Sequence, residues 1–295
     1  MHRVEEEIAR IIKEIGYKEV EDLFAKLSGG KRLRAKLILK IAPLHPKAPL
    51  LAAVVELIHA ASLLHDDVID EAMLRRGTPS VNATEGSKIA VMLGDILYSK
   101  AFSELVEFDK EIAKVVSNSV TALSKGEMMD VKMAQTFNSD ETNYLDMLYL
   151  KTATLIEAAA AASAMLAQKD VASHALFGKN LGLSFQIIDD ILDITSDETT
   201  LGKPAMNDYV EGKCTLPYIY LYHSLDAAAQ ERLLLSHAKK ITSQEALWIK
   251  AQLIEHKSIE RSFELALRLS NEAKEAVKEY PELVAILDAM IQRSY

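Results

Sequence analysis

The sequence predicts an all-α fold, a single-domain helical bundle over residues 1–295, and three observations carry that expectation. Gly (11) and Pro (7) are scarce while Ala, Leu, Glu and Lys are plentiful, a balance that favours helix over sheet. Apolar residues recur at helical spacing in one segment after another, and no strand-type alternation competes with them. At 49% hydrophobic content the chain can bury a large core, so 295 residues do not force a second domain.

Taken in order, the apolar spacing predicts helices over 3–15, 18–27 and 31–41, the last two separated by Ser28-Gly29-Gly30. The stretch Pro43 to Pro49 interrupts the chain before a long run, 47–70, that is apolar on nearly every side, as a helix in the middle of a bundle is. Arg76-Gly77-Thr78-Pro79 forms the next break. Helices over 85–106, 110–136, 141–167 and 170–194 follow, the last ending in the same apolar manner as 47–70. Turn-forming residues gather from Ser196 to Gly212, and segments 215–223, 226–239, 243–254, 257–279 and 281–293 complete the series.

The totals exclude several function classes. A net charge of −9 argues against a nucleic-acid partner. A single cysteine, Cys214, rules out an internal disulfide, and Met1-His2-Arg3-Val4-Glu5 opens no charged-then-apolar leader, so a cytoplasmic protein is expected. No stretch is expected to reach the roughly 20 apolar residues that span a bilayer, Ala158 to Ala167 being too short, so any membrane contact is expected to be peripheral.

Two copies of one acidic pattern sit inside these apolar runs: Asp66-Asp67-Val68-Ile69-Asp70 and Asp189-Asp190-Ile191-Leu192-Asp193. Residues three and four apart share a helix face, so each pattern makes a claw of three carboxylates. Clustered carboxylates raise one another's pKa and persist as anions where cations neutralise them. Mg²⁺ suits such a claw, because it takes one or two protein carboxylates plus waters and phosphate oxygens. Charge balance across both claws calls for about three such ions around a diphosphate. Both claws near one end of a bundle is the simplest arrangement that lets them cooperate.

Cationic groups accompany the claws. Gly29-Gly30-Lys31-Arg32-Leu33-Arg34 puts flexible backbone before three cations, with Lys31 and Arg34 expected on one helical face beside a helix N-terminus, an anion cradle. His59 lies two turns before Asp66 on roughly the same face, although a histidine satisfying a backbone carbonyl would look alike. Arg75 and Arg76 could grip phosphate oxygens or simply close a solvated helix end. Further along come Lys151-Thr152, then Gln186 on the face of the second claw, and two Gly-Lys pairs, Gly202-Lys203 and Gly212-Lys213, in one loop. Lys31, Arg34, His59 and Arg76 could neutralise one diphosphate, while Arg75, Lys151, Lys203 and Lys213 surround a metal-bound one. The chain offers no convincing Ser/His/Asp or Cys/His set.

These motifs, spread over most of the chain, resemble the trans-polyprenyl diphosphate synthases. One DDxxD is weak, but two in order with the flanks Leu64-His65, Arg75-Arg76-Gly77, Phe185-Gln186 and Gly212-Lys213-Cys214-Thr215-Leu216-Pro217 are specific. The resemblance implies an isoprenoid-synthase bundle around a deep central cavity, a homodimer, and Mg-assisted condensation of isopentenyl diphosphate with an allylic diphosphate such as farnesyl diphosphate. It implies that Lys31, Arg34, His59 and Arg76 bind isopentenyl diphosphate, and that Arg75, Lys151, Thr152, Gln186, Lys203 and Lys213 serve the allylic site. Asp66, Asp70 and Asp189 would hold Mg²⁺ most directly, with Asp67, Asp190 and Asp193 supporting. Ala35 departs from the family, which usually has Pro there, a matter of helix start rather than of a ligand.

Product length is expected to be set one turn before the first claw, at Ala61 and Ser62. Close helix packing alone would favour small residues there. In the resembled family small residues at these places accompany long products, so an octaprenyl product of about forty carbons is expected, each buried CH₂ gaining roughly 0.8 kcal/mol. Met129, Met133 or Phe137 on the neighbouring helix would form the tunnel floor. A class I terpene cyclase would lack the second claw and the Lys31/Arg34 cradle, a short-chain synthase would give fifteen to twenty carbons, and a non-catalytic binding subunit would have lost claw aspartates.

Overall fold

The computed structural model describes residues 1–27, 30, 32–195 and 206–292. It falls into two compact units, Met1–Thr121 with Leu155–Ala175, and Ala122–Thr154 with Leu176–Tyr295. The division passes inside two long helices, α7 (Lys110–Met133) and α10 (Val171–Thr195), and at the start of α9 (Thr154–Leu166).

In the first unit α4 (Ala48–Ile69) is packed against α1 (His2–Lys13), α3 (Leu33–Ile41), α5 (Val81–Glu85) and α6 (Ser87–Glu104). Being apolar on almost all sides, α4 can be surrounded in this way, and Leu51, Val54, Val55, Leu57 and Ile58 are fully buried. At 22 residues and a mean hydropathy of 1.6, α4 is long and apolar enough to cross a membrane, which corrects the expectation that no stretch is. Two-thirds of its most apolar window is buried inside the protein, as in the core helix of a water-soluble fold. Pro49 at its first turn needs no hydrogen-bond partner there.

Past α4 the chain makes a two-stranded antiparallel ribbon, Leu74–Arg75 with Thr78–Pro79, which the apolar spacing did not foretell. Arg76 and Gly77 form its two-residue turn, both at positive φ (55° and 77°), the geometry whose twist matches paired strands. Two helix boundaries also differ from expectation. The run 85–106 divides at Gly86, whose φ of 85° suits a residue without a Cβ. The run 141–167 divides into α8 (Glu141–Leu148), a π-helical turn (Tyr149–Ala153) and α9.

In the second unit Leu216–Ser224 packs against Ser258–Ala276, Ser243–Glu255 and α8. Its core includes Ile194, Tyr209, Tyr218, Leu221, Leu233, Ile249 and Leu253. Local chemistry sets the ends of these helices: the Asp140 carboxylate accepts from the Thr142 and Asn143 N–H groups, and Thr242 with Glu245 forms a reciprocal capping box.

Candidate functional site

The first claw terminates α4, with Asp66 and Asp67 in the last turn and Asp70 as the C-cap. Its carboxylates differ in exposure: Asp70 is open to solvent, Asp66 is half-buried with its side chain 21% exposed, and Asp67 is 4% exposed. Arg75, returned by the ribbon, donates from Nε to Asp67 (2.7 Å) and from a terminal nitrogen to Asp66 (3.0 Å). The guanidinium therefore clamps two of the three acids, a contact that the sequence did not reveal when it left Arg75 between phosphate grip and solvated helix end. Burial pushes the Asp67 carboxyl up from its ordinary range, with Arg75 opposing. Burial also disfavours the charged Arg75, but its bonds to Asp67 and Asp66 outweigh that, and its pKa rises.

The cradle lies in the same unit. α3 begins at Leu33, after Arg32 in left-handed conformation (φ 50°), and Arg34 lies in its first turn. Lys31 itself lies outside the described residues. Burial lowers the Arg34 guanidinium to about 10, with Glu56 opposing and Arg76 adding to the fall. Burial and then Arg34, Arg76 and Arg75 hold His59 well below its ordinary value, so this imidazole is neutral at neutral pH. Arg76 packs on the backbone of Gly30, where a Cβ would sit 2.9 Å from its terminal nitrogen. The Arg34 and Arg76 guanidiniums, with neutral His59 beside them, make a site of excess positive charge, able to accept a diphosphate. Ala61 is fully buried, and the Ser62 hydroxyl donates to the His59 carbonyl (2.9 Å).

The second claw repeats the division of exposure. Asp189 is open to solvent, while Asp190 and Asp193 are 4% and 3% exposed. Gln186 donates to one Asp190 oxygen (2.9 Å), and the Tyr144 hydroxyl donates to the other. Thr152 in turn donates to Gln186 (3.3 Å), and the Asp208 N–H donates to Asp193 (3.1 Å). Burial, with Asp208 adding, pushes Asp190 well above the usual carboxylate range, while Gln186 and Tyr144 oppose.

A carboxyl raised in this way binds its proton more readily folded than unfolded, so its contribution to stability falls as pH rises through the folded pKa. Asp190→Asn is therefore expected to melt at or above the wild type at neutral pH. That advantage should vanish in acid, where Asp190 is itself protonated. A variant that melts lower than the wild type at neutral pH, with the difference unchanged in acid, would contradict the assignment of the penalty to this carboxylate.

Lys151 projects from the π-helical turn and pairs with Glu127 (2.9 Å) and Asp130 (2.5 Å) on α7. Gly126 permits the approach, since a Cβ there would lie 2.4 Å from the Lys151 backbone nitrogen. Lys213 pairs with Glu211 (3.0 Å). Lys203 lies outside the described residues. Of the three residues expected to form a tunnel floor, Met129 and Met133 are half-buried on α7. Phe137 is not on that helix, which ends at Met133. It packs against Tyr222 and His237, with ring centroids at 5.2 and 5.1 Å, and lines with Met133 an open cavity of about 320 Å³.

Among the described residues no three His, Cys, Asp or Glu side chains converge as a ready-made metal cage. The donor set nonetheless fits Mg²⁺, a hard cation that takes one or two carboxylates and completes its shell with water and phosphate oxygens. Asp70 and Asp189 are the exposed acids of the two claws, and Asp66 is partly exposed. The sequence reading missed Tyr144, Glu127, Asp130 and Glu56. Glu127 and Asp130, three apart in a helix, and Glu56, an acid inside an apolar run, left a visible signal; Tyr144 left none.

A family profile described as polyprenyl synthetase matches residues 17–254. The chain is 36% identical over 244 residues to a short chain isoprenyl diphosphate synthase of Methanothermobacter thermautotrophicus, covering 79% of this chain and 74% of that protein. Its structure matches an octaprenyl pyrophosphate synthase from Helicobacter pylori with a TM-score of 0.91 and 43% identity, covering 99% of this chain and 96% of the other. A decaprenyl diphosphate synthase from Rhodobacter capsulatus superposes with a TM-score of 0.94 at 28% identity, over 100% and 96% of the two chains. The chain belongs to the polyprenyl synthetase family, the trans-polyprenyl diphosphate synthases, which are transferases of prenyl groups.

Proposed function

We propose that the chain joins isopentenyl diphosphate to an allylic diphosphate, farnesyl diphosphate being the expected primer, and repeats the step to an all-trans octaprenyl product. The observation that carries the reading is the split within each claw. Asp70 and Asp189 are exposed and Asp66 is partly so, while Asp67, Asp190 and Asp193 are buried, with a separate cradle at Arg34, His59 and Arg76. Open acids can take a cation, and buried hydrogen-bonded ones hold the open ones in place.

Asp66, Asp70 and Asp189 would hold magnesium, which when bound neutralises the charge that grows on the departing diphosphate. The allylic C–O bond breaks with its electron pair leaving on diphosphate. The double bond of isopentenyl diphosphate attacks the allylic carbon, which leaves a tertiary cation on the isopentenyl unit, and the departing diphosphate takes a proton from the carbon beside that cation, restoring a double bond in a product five carbons longer. Arg34 and Arg76 hold the diphosphate of the isopentenyl substrate, and neutral His59 donates a hydrogen bond to it without adding charge. Lys151 and Lys213 stand at the allylic diphosphate, with Thr152 and Gln186 fixing the second claw.

Small residues at Ala61 and Ser62, and the likeness to an octaprenyl pyrophosphate synthase at 43% identity, favour a long product. The direct test incubates the protein with Mg²⁺, labelled isopentenyl diphosphate and farnesyl diphosphate, and sizes the dephosphorylated products by mass. A ladder ending near eight units supports the reading. A fifteen- or twenty-carbon limit replaces it with a short-chain synthase, and absence of elongation with every primer favours a binding subunit.

Ala61→Phe is expected to shorten the product by several units, because a fully buried site has no other room for a ring. An unchanged ladder would refute the tunnel. At roughly 0.8 kcal/mol per buried CH₂ a long tail leaves slowly, so detergent or lipid vesicles are expected to speed turnover. A cytoplasmic homodimer with transient membrane contact fits this reading, and sedimentation would test the dimer.

A further inference from the structure

Glu56 lies on α4 within the otherwise apolar stretch Ala48 to Ile58, one turn before His59, and is 4% exposed. An ionised carboxylate in such a place is costly to desolvate, so its partners must account for it. One oxygen accepts the Ala35 N–H at 3.0 Å, and the other accepts from Arg32 at 3.3 Å. Arg32 is held from the opposite side by Glu5, at 3.1 and 3.3 Å.

Ala35 is in the first turn of α3, where N–H groups have no intrahelical acceptor, and the Arg32 side chain at the N-cap makes no cap bond. Glu56 thus caps this helix from a neighbouring one. Arg34 sits between the two residues that Glu56 binds, and its Nε is buried with no hydrogen-bond partner.

We propose that Glu56 is a positioning residue for the diphosphate cradle. By pinning the first turn of α3 to α4, it fixes the Arg34 guanidinium beside His59 and Arg76, ready for the isopentenyl diphosphate. The inference rests on the reading of Arg34, His59 and Arg76 as the isopentenyl diphosphate site. Its carboxylate also opposes the downward pull of burial on the Arg34 pKa. Glu56 touches no reacting atom, and its effect passes through the backbone of Ala35 and the charge of Arg32 and Arg34.

The test varies the two substrates separately in Glu56→Gln, Glu56→Asp and Arg34→Gln, with a thermal melt of each. Glu56→Gln keeps an acceptor for the Ala35 N–H but loses the charge. It is expected to raise KM for isopentenyl diphosphate about tenfold or more while KM for farnesyl diphosphate stays within about twofold. Glu56→Asp, which keeps the charge on a shorter arm, should recover part of the loss. If Glu56→Gln does not fold, Glu56→Asp carries the same criterion.

An unchanged KM for isopentenyl diphosphate, or a parallel rise for both substrates, overturns the positioning role, provided Arg34→Gln raises the isopentenyl diphosphate KM. If Arg34→Gln leaves that KM unchanged, the cradle reading itself fails and the inference falls with it.

Discussion

Asp66→Asn and Asp189→Asn are each expected to lower the rate of allylic diphosphate ionisation by about 10³-fold, the scale of removing one group that stabilises developing charge. The melting temperature should move little for Asp189→Asn, whose side chain is exposed, and fall modestly for Asp66→Asn, whose half-buried carboxylate accepts from Arg75. Asp67→Asn should be milder, about 10- to 100-fold, since its carboxylate is buried against Arg75 and acts by orienting the claw. The readouts are single-turnover diphosphate release and the Mg²⁺ concentration at half-maximal rate. That concentration should rise for the open acids well before saturation is lost for the buried one. If Asp67→Asn proves as damaging as Asp66→Asn, exposure does not identify the metal ligands.

Arg75 gives the same experiment a second edge. Its guanidinium rests on Asp66 and Asp67, so it offsets part of the charge of the claw. Magnesium held by Asp66 would compete with that bond. Arg75 displaced in this way would be free to meet an anion that accompanies the metal, the phosphate-gripping role expected from the sequence.

Most helices were legible because burial imposes a periodicity that survives in the residues themselves. The run 47–70 was read as a core helix from its lack of a polar face, and α4 occupies Ala48–Ile69. What escaped depends on partners distant in sequence. The Leu74–Arg75 and Thr78–Pro79 strands are two residues long, too short for any alternation, and only the Arg76-Gly77 turn marks them. The π-helical turn at Tyr149–Ala153 sits where the backbone of Lys151 meets Gly126, a contact between two helices that neither helix encodes alone. Phe137 was placed on α7 by continuing its spacing past Met133, whereas the side chain is drawn into the aromatic cluster with Tyr222 and His237. For the site, the acids were visible as a pattern, but which acids are open and which are hydrogen-bonded depends on Arg75, Tyr144 and Gln186 and required the fold.

Lys151→Met is expected to destabilise the protein by about 3 kcal/mol, the lower end of the range for breaking a buried ion pair, because it takes the paired cation from two acids at once. Lys151, Glu127 and Asp130 are 22%, 17% and 11% exposed, so solvent screens them only in part. For a unit of this size that corresponds to a fall in melting temperature of about 6–12 °C. Adding Glu127→Gln and Asp130→Asn removes the uncompensated charges and should restore most of the lost stability, since a neutral trio has no ion to desolvate. Activity separates the two roles of this lysine. If Lys151 also meets the allylic diphosphate, the neutral triple variant regains its melting temperature but not its turnover, and KM for farnesyl diphosphate stays raised. Recovery of both would make Lys151 a structural ion-pair partner of α7 and leave the allylic diphosphate to other cations.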